Sequence, residues 1–113
     1  MTKSVALPWP SRDLSPNGRV HYMRLHRAKK TAKNSAFVLA KEAGLSAPDD
    51  GPIPIHVTAY AETKTKPDAD NLLASMKAYL DGIALAMKVD DKRFQPTVEI
   101  SDQTGGYVTV RVG

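Results

Sequence analysis

Residues 53–82, IPIHVTAYAETKTKPDADNLLASMKAYLDG, change period halfway along. In the first part, Ile53, Ile55, Val57, Ala59 and Ala61 alternate with His56, Thr58, Tyr60 and Glu62. Every second side chain therefore falls on the same side, the pattern of a β-strand with one face buried. Lys64-Thr65-Lys66-Pro67 ends that strand. From Asp68 onward the apolar residues Leu72, Leu73, Met76, Leu80, Ile83 and Met87 recur at helical spacing. They predict a second helix over about 68–87 with a strong apolar face. Gly82, and the Asp81-Gly82 step with it, is the expected weak point of that helix.

Working outward, Ser4-Val5-Ala6-Leu7 reads as a first strand stopped by Pro8, and PWPSRDLSPNGR as an irregular loop. From about Val20 the residues Leu25, Ala28, Ala32, Ala36, Leu39 and Ala43 form a narrow stripe of mostly small side chains, and Gly44 is placed to end this first helix. SAPDDGP, residues 46–52, is a polar loop. Downstream, about Gln95–Ser101 and Tyr107–Val112 read as a β-hairpin turning through DQTGG. The order is β-α-β-α-β-β. This predicts an α+β fold with one mixed sheet and two main helices, a single domain over residues 1–113, without internal repeat or linker.

The composition is that of an ordinary globular protein, with 42% hydrophobic and 25% charged residues. No cysteine is present, which excludes disulfides and thiolate metal sites. No apolar run approaches the roughly 18 residues of a membrane span, and no signal-peptide core stands at the start, so no membrane partner is expected and the cytoplasm is the expected compartment. The net charge of +4 hides an asymmetry. Residues 1–35 carry eight Lys or Arg against the single acid Asp13, whereas the remainder carries eight against eleven. Cations for phosphate beside carboxylates for chemistry suit a nucleic-acid enzyme; a solvated basic helix is the plainer reading.

Four aspartates are the candidates for chemistry. Asp68 and Asp70 open the second helix, and Asp90 and Asp91 lie in KVDDKRF before the next strand. A straight 20-residue helix is about 30 Å long, so the pairs meet only if the chain doubles back after a shorter one. Each pair also has a purely structural reading, as helix cap or as turn. Both are flanked by Lys64, Lys66, Lys88, Lys92 and Arg93, and carboxylates amid cations suit a site for Mg²⁺ and a phosphodiester. His21, His26 and His56 do not share a face and make a weak zinc set. Trp9 and Tyr22 are candidates for stacking on bases, Trp9 equally for packing at the sheet edge. Phosphate loops and nucleophilic triads are absent from the sequence.

KPDADNLLASMKAYLDG followed by KVDDKRF resembles the central motif of the RusA family of Holliday-junction resolvases, and LPWPSRDLSPNGRVHYMR is similar to that family's opening. The resemblance spans nearly the whole chain. It implies a small homodimeric endodeoxyribonuclease that cuts four-way DNA junctions by symmetric nicks, with Mg²⁺ (Mn²⁺ as substitute) as cofactor. Carried onto this chain, Asp68, Asp70 and Asp91 are the metal-binding and catalytic acids, Asp90 is a neighbouring candidate ligand, and Asn71 braces the helix start. Arg19, Arg24, Arg27, Lys29, Lys30, Lys64, Lys66, Lys92 and Arg93 are the cations expected to meet DNA phosphates.

Two positions depart from the family pattern. It has a lysine four residues after the second aspartate and an acid four residues further on; here those places are Ala74 and Ala78. A cation there would stabilise charge developing on the phosphate. Lys77, seven residues after Asp70 and nearly in line with it, is the expected replacement, with Lys64 and Lys66 as alternatives. The competing expectation is a catalytically impaired protein that binds junctions or other nucleic acid on the same fold. A further one is a small basic binding module, for RNA among others, whose acids only cap helices.

Overall fold

The computed structural model describes residues 3–16 and 21–113. Arg19 and the Asn17-Gly18 pair lie outside the described residues. The first strand, β1, is Lys3–Pro8, and a short 3₁₀ turn follows at Arg12–Leu14. The long helix α1 is Tyr22–Ala43. Gly44 ends it as expected, in the left-handed conformation (φ 68°) with its N–H bonded to Ala40 O and Lys41 O. β2 is Ile53–Tyr60. The predicted second helix is two: α2, Ala69–Ser75, and α3, Lys77–Met87. A 3₁₀ turn at Asp91–Arg93 leads into β3, Phe94–Ile100, and β4 is Tyr107–Val112. This is an α+β domain with a four-stranded mixed sheet and three helices. Its radius of gyration, 13.5 Å, is that of one compact domain of this length. Among the described residues no helix is long and apolar enough to cross a membrane.

The sheet order is β1-β4-β2-β3. β4 runs antiparallel to both β1 and β2, in register Val5↔Val110↔Val57, while β2 and β3 are parallel, Ile53 facing Phe94. The last two strands therefore do not form the expected hairpin. The DQTGG segment carries the chain over the end of β2, where Gly105 and Gly106 donate to Ala61 O and Tyr60 O. The physical reason lies in β2: its buried face (Ile53, Ile55, Val57, Ala59) needs an apolar neighbour on each side, and Val108, Val110 and Val112 supply one.

The helices lie on this apolar face. α1 packs against α3 through its small-residue stripe, with Ala32, Ala36 and Ala40 buried. Gly82 is not a break but the point of closest approach: a Cβ there would lie 2.2 Å from Lys33 O. The break falls at Met76 (φ −91°, ψ −1°), whose side chain is fully buried. One residue earlier, Ser75 Oγ donates to Asn71 O at 3.0 Å, the back-bonding that bends helices. At the far end Lys88 adopts a left-handed conformation (φ 59°) and reverses the chain.

Candidate active site

The interruption at Met76 and the reversal at Lys88 decide which carboxylates meet. Asp68 is the N-cap of α2: its Oδ1 accepts from the N–H groups of Asp70 (2.8 Å) and Asn71 (3.2 Å). Asp90 does the same for the following 3₁₀ turn, accepting from Lys92 N at 2.9 Å. In each pair the first aspartate is thus a cap, and the second, Asp70 or Asp91, lines a cavity of 390 Å³. Lys77, Asp81 and Ala74 line the same cavity, closed on one side by Phe94 and Pro96 of β3. Asp68 and Asp90 are not among its lining residues.

Lys77 stands between two acids. Its Nζ lies 3.6 Å from Asp91 Oδ2 and 3.8 Å from Asp81 Oδ1. Asp81 and Asp91 are themselves hydrogen-bonded. Burial, and then that hydrogen bond, push the Asp81 carboxyl up from its ordinary value. Asp91 moves down, held ionised first by the hydrogen bond from Asp81 and further by the charge of Lys77.

Asp81 went unnoticed in the sequence, although a signal was present. A lysine with an acid four residues on, which the resemblance places at 74 and 78, recurs intact as Lys77 and Asp81 three positions later. The bend at Met76 intervenes, so the pair starts α3 instead of continuing α2.

The cations expected to meet DNA divide into four groups. Lys29 and Lys30 line a second cavity, between α1 and the start of α3. Arg24 and Arg27 face another side of α1, next to Trp9, and Arg24 is paired with Asp13 at 3.0 Å. Lys66 is paired with Asp102, while Lys64 is exposed before α2. Lys92 and Arg93 line a shallow cavity with Asp49 and Asp50, and Arg93 anchors that loop by donating to Gly51 O and Pro48 O at 2.9 and 2.6 Å. Trp9 packs, half-buried, against the core. Tyr22 is 71% exposed and stacked on His21. His21 caps α1 and His56 contacts Thr97 on the neighbouring strand, so these two histidines serve separate local roles.

Among the described residues no three His, Asp or Glu side chains are gathered closely enough to form a ready metal centre. The set Asp68, Asp70 and Asp91 is therefore not assembled as the resemblance implies. Asp70 and Asp91 remain, two hard oxygen donors on one cavity. Such a pair fits Mg²⁺, which takes one or two carboxylates and completes its shell with water and phosphate.

No family model matches the chain. It is 44% identical, over 115 aligned positions, to an uncharacterized protein of Xylella fastidiosa (strain Temecula1 / ATCC 700964), an alignment covering 97% of this chain and 75% of that protein. With that identity over nearly its whole length, the chain belongs to the same family as the Xylella protein.

Proposed function

We propose that the protein is a Mg²⁺-dependent, structure-selective endodeoxyribonuclease of the RusA kind. It resolves four-way DNA junctions in recombination and repair, in the cytoplasm, as a homodimer whose two sites make two symmetric nicks. The observation that carries this reading is the convergence of Asp70, Asp91 and Lys77 on one cavity, although 21 positions separate the two aspartates.

Asp70 and Asp91 would hold the ion, with Mn²⁺ as a substitute. When bound, Mg²⁺ polarises the scissile phosphate and lowers the pKa of the attacking water. Asp81, 3.8 Å from Lys77 Nζ, would help to hold that ammonium beside Asp91. Lys77 brings a cation to the place where charge develops on the phosphate, and its flexible stem lets the ammonium exchange a carboxylate for a phosphate oxygen. The role left vacant at Ala74 thus falls to Lys77, one turn later.

A second reading, a junction-binding protein that does not cut, draws on the fact that three carboxylates are not gathered for a metal. One experiment separates the two: incubation of a synthetic four-way junction and a matched linear duplex with the parent protein and D70N, with and without Mg²⁺. Paired nicks that need both Mg²⁺ and Asp70 are expected. Tight junction binding without cleavage in Mg²⁺ or Mn²⁺ would replace the first reading with the second.

A further inference from the structure

The second cavity, of 580 Å³, shares Ala74, Lys77 and Asp81 with the first, so the two adjoin across these residues. Their electrostatics are opposite. The smaller is lined by three carboxylates and one lysine; the larger carries His26, Lys29, Lys30 and Lys33 of α1. Those four recur at spacings of three and four, which puts them on one helix face, and all four are exposed. Leu14 and Leu25 give this cavity an apolar floor.

The close helix crossing sets where the basic row ends. Because Gly82 admits the backbone of Lys33, α1 brings Lys33 to the same cavity wall as Asp81. Among the described residues the ion pairs engage Arg24, Lys66 and Lys77, and none takes up Lys29, Lys30 or Lys33. Three cations without carboxylate partners, lined up toward a cluster of carboxylates, have no structural task in the fold. At the boundary Ala74 contributes only a methyl group.

We propose that the two adjoining cavities form a channel that holds the phosphodiester backbone of the DNA strand entering the Asp70–Asp91 cavity. Lys29, Lys30 and Lys33 contact phosphates on one side of the bond to be cut, and the sugars rest on Leu14 and Leu25. The inference rests on the nuclease reading of the neighbouring cavity, and it adds Lys33 and His26 to the DNA-contacting set while leaving Arg24 and Arg93 to the fold.

The test is read by binding alone. In a D70N background without Mg²⁺, the affinity for a fluorescent four-way junction is followed by anisotropy across a salt series. The variant K29A/K30A/K33A is compared with K41A/R111A, which removes two cations outside the channel. Each lost phosphate contact lowers the slope of log affinity against log salt by about 0.9, so the channel variant should become shallower by about 2–3 and bind at least about tenfold more weakly at 0.1 M salt. The control should stay within about twofold. An unchanged slope in the channel variant, an equal loss in the control, or tighter binding of an RNA strand than of DNA through the same lysines would each overturn the proposal. A parent protein that never cuts, yet shows the expected slopes, would defeat the nuclease reading and leave the channel standing. Cleavage by the parent with an unchanged slope would defeat the channel alone.

Discussion

Gly82 of α3 sits under the backbone carbonyl of Lys33 of α1, so close that a Cβ at Gly82 would come within 2.2 Å of Lys33 O and 3.1 Å of Ala36 Cβ. An exposed helical glycine replaced by alanine gains about 1 kcal/mol. Here the overlap falls on backbone, which cannot swing aside, and overpacking of this kind costs about 1–3 kcal/mol or more. G82A is therefore expected to lose stability, by about 2 kcal/mol net in urea unfolding, and to move Lys33 away from Asp81. A variant as stable as the parent would show that the helices cross less tightly than described.

Lys77 tests the site itself. K77A should lower the single-turnover rate of junction cleavage by about 10²–10³, the scale of losing one fixed donor to a developing charge. Stability should change by less than about 1 kcal/mol, because the Lys77 side chain is 74% exposed and its ion-pair distances are long. Junction affinity should stay within about threefold, and K77R should keep part of the rate. Equal cleavage by K77A and the parent would remove Lys77 from the chemistry.

Ala74 offers the converse experiment. If Lys77 already fills the cationic role, A74K adds no needed charge and sets a long side chain where the two cavities join. Cleavage is expected to fall by about tenfold or more. A large gain would instead mean that the natural site is impaired for want of that lysine.

The Asp81–Asp91 pair gives a pH signature with a definite sign. Asp81 has a raised carboxyl in the fold, so its contribution to stability is complete below the pKa it has in the unfolded chain and is lost as pH rises through the folded value. Asp91, lowered, contributes in the opposite sense: its share is present above its unfolded pKa and lost as pH falls through the folded one. D81N removes the first effect and can still donate to Asp91. Its melting temperature relative to the parent should therefore climb from about pH 4 to pH 7, by about 1–2 °C after allowance for solvent screening. A difference independent of pH would show that the two carboxylates do not shift each other's ionisation.

Much of the fold was legible because it rests on local periodicity. The alternation in Ile53–Glu62 fixed β2 and its buried face, and Gly44 marked the end of α1. What escaped depended on contacts distant in sequence. Gly82 looks like a helix breaker until the alanines of α1 are placed against it, and Met76 looks like continuous helix until its side chain is buried and Ser75 turns back on Asn71. The adjacency of β3 and β4 in sequence suggested a hairpin, but the apolar edge of β2 decided the pairing. At the site, the aspartates were identifiable by type and position. The division between caps (Asp68, Asp90) and cavity residues (Asp70, Asp91) was not, since both kinds occur in the same short motifs.

The position of β4 has a kinetic consequence. Among the strands β1 has no hydrogen-bonded neighbour but β4, through pairs such as Val5 with Val110. The first of these four strands to be synthesised must therefore wait for the last before it can pair. The parallel β2–β3 pair likewise needs its helical crossover in place first. With its sheet assembled from partners so far apart along the chain, the domain should acquire structure late and slowly, once β4 has left the exit tunnel instead of stepwise before it.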